Sequence, residues 1–543
     1  MANSLSILLA QCNPTVGDIA GNLKLAKSLC LQAQSAMGEL LVLPESIISG
    51  YPAEDLWLRP SFVQECMQAV NEFVRWNKDS PVSVFLTSPW QENGKLYNAG
   101  FLIERGKITH KQFKVKLPNY GVFDDKRYFS HGTLPDTIMC KGVRIGFLLC
   151  EDMWCEQVTA HLAQQKPDIL IASNASPYAI GKQARRIKTA SARSAQTNVP
   201  FIYLNQIGAQ DDLVFDGQSF AMSGSGDVVA EFGQFESGLY EVIYKNGKVV
   251  ADTIADRLEE IGEIYQAILL GTRDYARKNG FKDVLLGLSG GIDSALVATI
   301  AADALGAENV SCYMLPSPYT SQSSFDDANA TAAALGIKIR EQSIEPLMNA
   351  AQQTMPDLKG VAAENIQSRL RGLILMAHSN QTGAMLLTTG NKSELATGYT
   401  TLYGDMCGGY NPLKDVYKTQ IYKLCEWRNK NLPQNGFVTK LSAPFPESLL
   451  TKPPSAELRP DQTDQDSLPP YEILDSILFG LVEDEASYEE LIESGHTDDN
   501  VYLVARLLRN AEYKRYQSAP GPKVSRRAFT RERRYPLTNA FTG

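Results

Sequence analysis

The sequence holds no C-x-x-C pair, no paired histidine motif and no apolar run near the roughly 18 residues that span a bilayer. With five scattered histidines and nine widely spaced cysteines, it lacks the ligand spacing of a zinc site. Its first stretch, "MANSLSILLAQCNP", has neither the basic start nor the small-residue cleavage site of a secretory signal. Excess positive charge is missing too: 52 Lys and Arg stand against 61 Asp and Glu, a formal charge of −9 that disfavours non-specific nucleic-acid binding. The local exception lies between Lys514 and Arg534, with eight Lys or Arg and one acid, Glu532. These absences lead us to expect a reduced, soluble, cytoplasmic protein without nucleic-acid or membrane partners. At 543 residues, the chain is too long for one ordinary core.

A further absence falls inside a motif. Residues 285–298 read "LLGLSGGIDSALVA", a buried strand, a glycine turn and the start of a helix. Gly287, Gly290 and Gly291 let backbone N–H groups approach an anion, and the helix beginning near Ile292 adds its positive end. A kinase-like phosphate loop would carry a lysine that reaches the terminal phosphates, and none is present. Amides together with Ser289 and Ser294 suit a pyrophosphate, hence attack at an α-phosphate and transfer of AMP. Asp293 is placed to ligate a Mg²⁺ that bridges the phosphates.

Around this loop the chain divides in two. The first 250 residues hold many short β-like runs, among them "LSILLAQ" (5–11), "LLVLPE" (40–45), "VRIGFLLC" (143–150) and "DILIASN" (168–174), with helical patterns at Asn22–Ala36 and Gln183–Gln196. Residues 219–244 read as hairpins closing that unit. From about Ile254 the character changes: a long helix is predicted over 256–280, followed by the strand–helix alternation of a parallel, doubly wound sheet. Residues 444–470 hold seven prolines and predict a long exposed loop. The tail from Lys514 reads as irregular. The expected domains are therefore 1–250 and 251–543.

The octet "GLSGGIDS" resembles the pyrophosphate loop of the ATP pyrophosphatase family. The stretch "LLTTGNKSELATGYTTLYGDMCGGYNPLKDVYKTQIYKL" is similar to NAD synthetases, with matching spacing to "KPPSAEL" and "EYKR". That resemblance implies a Rossmann-like domain that uses ATP and Mg²⁺ to adenylate deamido-NAD. It carries ATP contacts onto Gly287, Leu288, Ser289, Gly290, Gly291, Ile292, Asp293, Ser294, Thr389, Lys418 and Ser455. Deamido-NAD contacts fall on Asn365, Arg369, Glu394, Tyr399, Thr400, Thr401, Leu402, Asp405 and Lys514, and metal ligation on Asp293 and Glu394. Taken singly, Thr389 with Glu394 would pass for a helix cap and its partner, and Lys418 for a solvated lysine.

Upstream, "GFLLCEDMW" puts Cys150 at a strand end, "LLVLPES" does the same for Glu45, and "HKQFKVKLPNYGVFDDKRYF" offers Lys114, four residues before Pro118, with Lys116 as its rival. A thiol, a carboxylate and an ammonium together can hydrolyse an amide. The set resembles the Glu-Lys-Cys triad of the nitrilase family, whose fold is an α-β-β-α sandwich, and "LPNYGVFDDKRYF" resembles its glutamine-hydrolysing branch fused to NAD synthetases. On that pattern Tyr120, Ser176 and Lys182 contact glutamine, Lys182 through the α-carboxylate, while Cys12 and Cys155 are structural. Glu151 and Asp152 would oppose a thiolate if they faced Cys150. The resemblance further implies a homo-oligomer, and the fusion implies an enclosed route for ammonia. Two other readings compete. A tRNA-modifying or sulfur-transferring pyrophosphatase would need a basic RNA-binding domain or a persulfide cysteine pair. A non-catalytic nitrilase-like scaffold would not need all three triad residues.

Overall fold

The computed structural model describes residues 4–251, 255–460 and 462–541. Ile254, where the sequence changes character, and residues 1–3 of the N-terminal stretch lie outside them. The chain separates into two compact units, residues 1–210 with 214–258, and residues 211–213 with 259–543.

The first unit is built on two sheets. One has seven strands, in the order Lys248–Val250, Gly238–Lys245, Ser4–Gln11, Leu40–Val42, Ser83–Glu92, Lys95–Glu104 and Lys107–Phe113. The other has six, Val228–Glu231, Phe220–Met222, Phe201–Asn205, Ile169–Asn174, Val143–Leu149 and Ile138–Cys140. Period-two alternation explains the layering. From Ser4–Gln11, Leu5, Ile7 and Leu9 enter a core made by both sheets, while Leu8 and Ala10 face the helices Ile19–Ser35 and Pro60–Trp76. In the inter-sheet core, the rings of Phe85 and Phe147 stack at 3.8 Å. On the outer face of the second sheet lie Glu156–Gln164 and Lys182–Thr197. The result is an α-β-β-α sandwich, as expected.

One expected detail differs. Phe220–Met222 and Val228–Glu231 form a hairpin, but Gly238–Lys245 joins the other sheet, antiparallel to Ser4–Gln11. The glycine-rich local pattern marks the turns and says nothing about the distant partner that outcompetes the nearby strand.

In the second unit, four parallel strands lie in the order Lys338–Glu341, Val310–Met314, Val284–Gly287, Met385–Leu386. Numbered along the chain this order is third, second, first, fourth, so the direction of winding reverses beside Val284–Gly287. Ligands of doubly wound sheets bind at that reversal, and the glycine turn sits there. The helix after it, Ile292–Leu305, is apolar nearly all round and accordingly buried on every side. The preceding helix runs from Glu260 to Lys278 and starts four residues later than the apolar period suggests. Arg257 forks onto Glu231 through two 2.7 Å hydrogen bonds, and the Leu258 amide donates to Gln234, which holds this segment extended.

The proline-rich segment is not the exposed loop that its composition predicts. Phe445, Leu449, Asp464 and Leu468 are buried, and Glu447–Thr451 forms a short helix. Proline removes regular structure but not the drive to bury a Phe and a Leu. Beyond the turn Glu512–Arg515 the tail is irregular, as expected, yet Lys523, Ser525 and Arg533 are buried within it.

Candidate active sites

In the sandwich, the strands Leu40–Val42 and Val143–Leu149 each run in parallel with a neighbour and deliver their C-terminal ends to one place. Glu45 follows the first and Cys150 the second. The backbone of Cys150 has φ +45°, the left-handed conformation that a non-glycine residue adopts at a cost and that is common at reactive centres. Its thiol lies close enough to the Glu45 carboxylate for that charge to raise its pKa. Lys114, just past Lys107–Phe113, donates to Glu45 Oε1 at 2.8 Å. Glu45 Oε1 also accepts from Asn98 at 2.8 Å, and Glu45 Oε2 from the Ala175 amide at 3.2 Å. Lys116 is exposed, so Lys114 alone of the two rivals reaches the carboxylate.

A residue the sequence reading missed completes the group. Asp125, buried like the others, accepts from Lys114 at 2.8 Å and from the Tyr51 hydroxyl at 3.2 Å. Its only signal in the sequence is an Asp pair in "VFDDKRYF". Burial works against the charge on Lys114, but Asp125 and Glu45 outweigh it and hold the ammonium well above its usual range. Burial and then the Glu45 carboxylate push the Cys150 thiol well up, with Lys114 pulling the other way. Cys150 therefore rests as the thiol.

The two acids beside the nucleophile have separate fates. Asp152 turns away, accepting from the amides of Val115 at 3.0 Å and Lys116 at 2.8 Å and so fixing the loop that carries Lys114. Glu151 does bear on Cys150, raising its pKa, and it accepts from the Tyr120 hydroxyl at 3.0 Å. Lys182 lies over the Trp154 ring at 4.9 Å, and burial with the nearby Arg186 and Arg185 brings its pKa down to about 8. The Ser176 hydroxyl is already engaged by Arg186 Nε at 3.3 Å, and its amide donates to Asn205. Arg186 pairs with Asp216 at 2.7 Å with neither side chain exposed, although by sequence it is one more cation on a polar helix. Cys12 is buried, its thiol pushed up to about 12 by burial, while Cys155 is only half-buried.

The second unit encloses a cavity of about 290 Å³ lined by the whole glycine turn, Gly287 to Ser294. Thr389, Glu394, Tyr399, Asp405, Lys418 and Ser455 also line it. The turn is internally braced: the Ser289 and Ser294 hydroxyls are 3.1 Å apart, and Ser294 donates to the Gly291 carbonyl at 2.9 Å. The helix starting at Ile292 has no side-chain cap at Gly291.

Lys418 is buried between two carboxylates, paired with Asp293 and 3.9 Å from Glu394. Burial followed by the nearby Asp293 charge holds the Glu394 carboxyl well above its usual range, with Lys418 opposing. Asn391 donates to Asp293 at 2.8 Å and caps the helix Lys392–Thr397, with Glu394 as its capping-box partner. The cap reading of Glu394 thus holds alongside its place in the cavity, but the cap is Asn391 and not Thr389. Two repelling carboxylates that face one cavity fit a Mg²⁺, which takes one or two protein oxygens and completes its shell with phosphates and water. Among the described residues no cluster of three or more His, Cys, Asp or Glu offers a cage made by protein alone.

The other expected dinucleotide contacts gather beside the cavity. The Thr401 hydroxyl donates to Asn365 at 3.0 Å, Arg369 to the Leu402 carbonyl at 3.2 Å, and the Thr401 amide to Asp405 at 2.7 Å. Lys514 donates to the carbonyls of Gly398 and Thr400, both at 2.7 Å. Arg371, which the sequence reading passed over, lines the cavity and donates through Nε to the Leu315 carbonyl at 2.9 Å.

An amide-cleaving sandwich and an adenylating, doubly wound unit in one chain define a carbon–nitrogen ligase with its own nitrogen source. Residues 7–246 match the carbon-nitrogen hydrolase family and residues 264–518 the NAD synthase family. The glutamine-dependent NAD(+) synthetase of Rhodobacter capsulatus is 44% identical over 100% of this chain and 99% of its own. That of Acinetobacter baylyi is 43% identical over 99% of each. Among solved structures, the glutamine-dependent NAD+ synthetase from Acinetobacter baumannii, in complex with ADP, matches with TM-score 0.79 at 38% identity, covering 99% of both chains. The chain belongs to the glutamine-dependent NAD(+) synthetase family.

Proposed function

We propose that the two units carry out successive halves of one amidation. In the first, Cys150 Sγ attacks the side-chain carbonyl of glutamine, Glu45 takes the thiol proton and returns it to the leaving nitrogen, and ammonia departs. Water, activated by the same carboxylate, then frees glutamate from the thioester. Lys114 is the nearby cation for the oxyanion. Tyr120, Ser176 and Lys182 bind glutamine, with the Lys182 ammonium meeting its α-carboxylate. In the second unit, the nicotinate carboxylate of deamido-NAD attacks the α-phosphorus of ATP, pyrophosphate leaves, and ammonia displaces AMP from the acyl adenylate to give NAD.

The braced turn Gly287–Ser294 receives the phosphates, with Thr389, Lys418 and Ser455. The dinucleotide is held by Asn365, Arg369, Glu394, Tyr399–Leu402, Asp405 and Lys514. Mg²⁺ bound at Asp293 and Glu394 would offset phosphate charge. Residues 1–250 form the glutaminase domain and 251–543 the synthetase domain, and the chain works as a cytoplasmic homo-oligomer. No helix among the described residues is long and apolar enough to cross a membrane.

The observation that carries this reading is the meeting of Glu45, Lys114 and Cys150 in one buried group, in a chain whose second unit has a lysine-less phosphate loop at its sheet reversal. The test supplies purified protein with deamido-NAD, ATP, Mg²⁺ and either glutamine or ammonium. AMP and NAD should form together with both nitrogen sources, and failure to release AMP would refute the reading.

A further inference from the structure

The helix Lys392–Thr397 is only six residues long and carries Glu394 into the adenylation cavity. So short a helix has little stability of its own. It is held at both ends by one remote stretch of chain. At its C-terminal end, Arg515 Nη1 donates to the carbonyls of Leu395 at 3.1 Å and Ala396 at 2.9 Å. Lys514 takes the next carbonyls, Gly398 and Thr400. Arg515 is buried, anchored through Nη2 to the Leu508 carbonyl and Glu512 at 2.6 Å each, with its guanidinium 4.8 Å from the Phe529 ring.

At the other end Lys392, fully buried, donates to the Ser525 hydroxyl and the Arg527 carbonyl at 2.8 Å each. Its ammonium also pairs with Asp415 at 2.9 Å and with Glu483. Asp415 in turn accepts from the amides of Val524 and Ser525, and Glu483 from the amide of Arg527. These contacts join the tail to the helix from both sides.

We propose that residues 514–527 form an internal splint for the helix that presents Glu394, with Arg515 and Lys392 as positioning residues for adenylation. Neither side chain need touch a substrate. Cations at helix C-terminal carbonyls are favourable, and here they also fix direction. The splint accounts for the burial of Lys523 and Ser525 in an otherwise irregular basic tail. Its catalytic consequence rests on the adenylation reading above.

The experiment compares the full-length chain with Arg515→Ala and Arg515→Lys by hydrogen exchange and ammonia-driven kinetics. In Arg515→Ala, amides 395–400 should exchange about tenfold faster. kcat for AMP formation should fall about 100-fold, as misplacement of a reacting group does, with KM for ATP held within about threefold. Arg515→Lys should recover part of both, because it keeps a donor at the carbonyls. Unchanged exchange, or faster exchange with wild-type kcat, would overturn the proposal. So would a loss confined to KM, which would make Arg515 a substrate contact.

Should Arg515→Ala fail to fold, Ser525→Ala provides the milder case. It removes one partner of Lys392 while Asp415 keeps both amides. It should show the same two effects on a smaller scale, and wild-type behaviour in both would overturn the proposal. A wild-type protein that makes no AMP would instead refute the functional reading and leave the exchange result standing.

Discussion

Lys114 Nζ lies 2.8 Å from an Asp125 oxygen, and both side chains are closed off from solvent. Glu45 Oε1 lies at the same 2.8 Å from that ammonium, so one cation serves two acidic side chains. If Asp125 only filled space, its amide would replace it without effect. We expect Asp125→Asn to lower kcat for glutamine hydrolysis by about 100-fold, roughly 2.7 kcal/mol of barrier, because Lys114 loses the partner that fixes it. Ammonia-driven NAD synthesis should stay at the wild-type rate. Glutamate release measured beside ammonia-driven AMP formation checks both.

Cys150→Ala removes the nucleophile and leaves its surroundings intact. Glutamine-driven synthesis should disappear while ammonium still supports NAD formation. A variant that still uses glutamine at the normal rate would break the assignment.

The phosphate turn provides a paired steric test. Gly290 has φ +80°, and a Cβ there would lie 2.1 Å from the Ser324 carbonyl oxygen. At Gly291, with φ −93°, a Cβ would meet only the Ser289 hydroxyl, at 3.4 Å. Gly290→Ala should therefore cut synthesis from either nitrogen donor by about 100-fold, through strain and displacement of the loop. Gly291→Ala should lose far less. Equal losses would place the constraint in the ligand rather than in the backbone.

Lys182 gives a pH dependence with a definite sign. Its pKa is brought down to about 8, so the ammonium is charged below that pH and neutral above it. kcat/KM for glutamine, which reports the free enzyme, should fall as pH rises through about 8. Lys182→Arg keeps its charge and should carry the fall to higher pH. An identical profile in the variant would remove Lys182 from carboxylate binding.

The parts legible in the sequence are those whose signal is local. Val143–Leu149 ends at Cys150 because an apolar run meets a turn, and Val284–Gly287 leads into the phosphate loop for the same reason. Glu45 is legible at a strand end and Lys114 by its spacing to Pro118 in the nitrilase-like pattern, although 69 residues separate them. Asp125 was not, because its role depends on how an irregular loop folds back over Lys114. Arg186 carries no local signal of its burial, which depends on the buried Asp216, 30 residues further along the chain. Residues 444–470 misled for a related reason: composition reports the lack of regular structure but not which apolar side chains find a wall.

The pairing of Ser4–Gln11 with Gly238–Lys245 has a consequence for biosynthesis. The earlier segment leaves the ribosome more than two hundred residues before the later one exists. At roughly 5–20 residues per second that is a wait of about ten to fifty seconds with one flank unzipped. Nascent chains stalled short of Gly238 should therefore be the species that chaperones capture, since a bare strand flank invites aggregation.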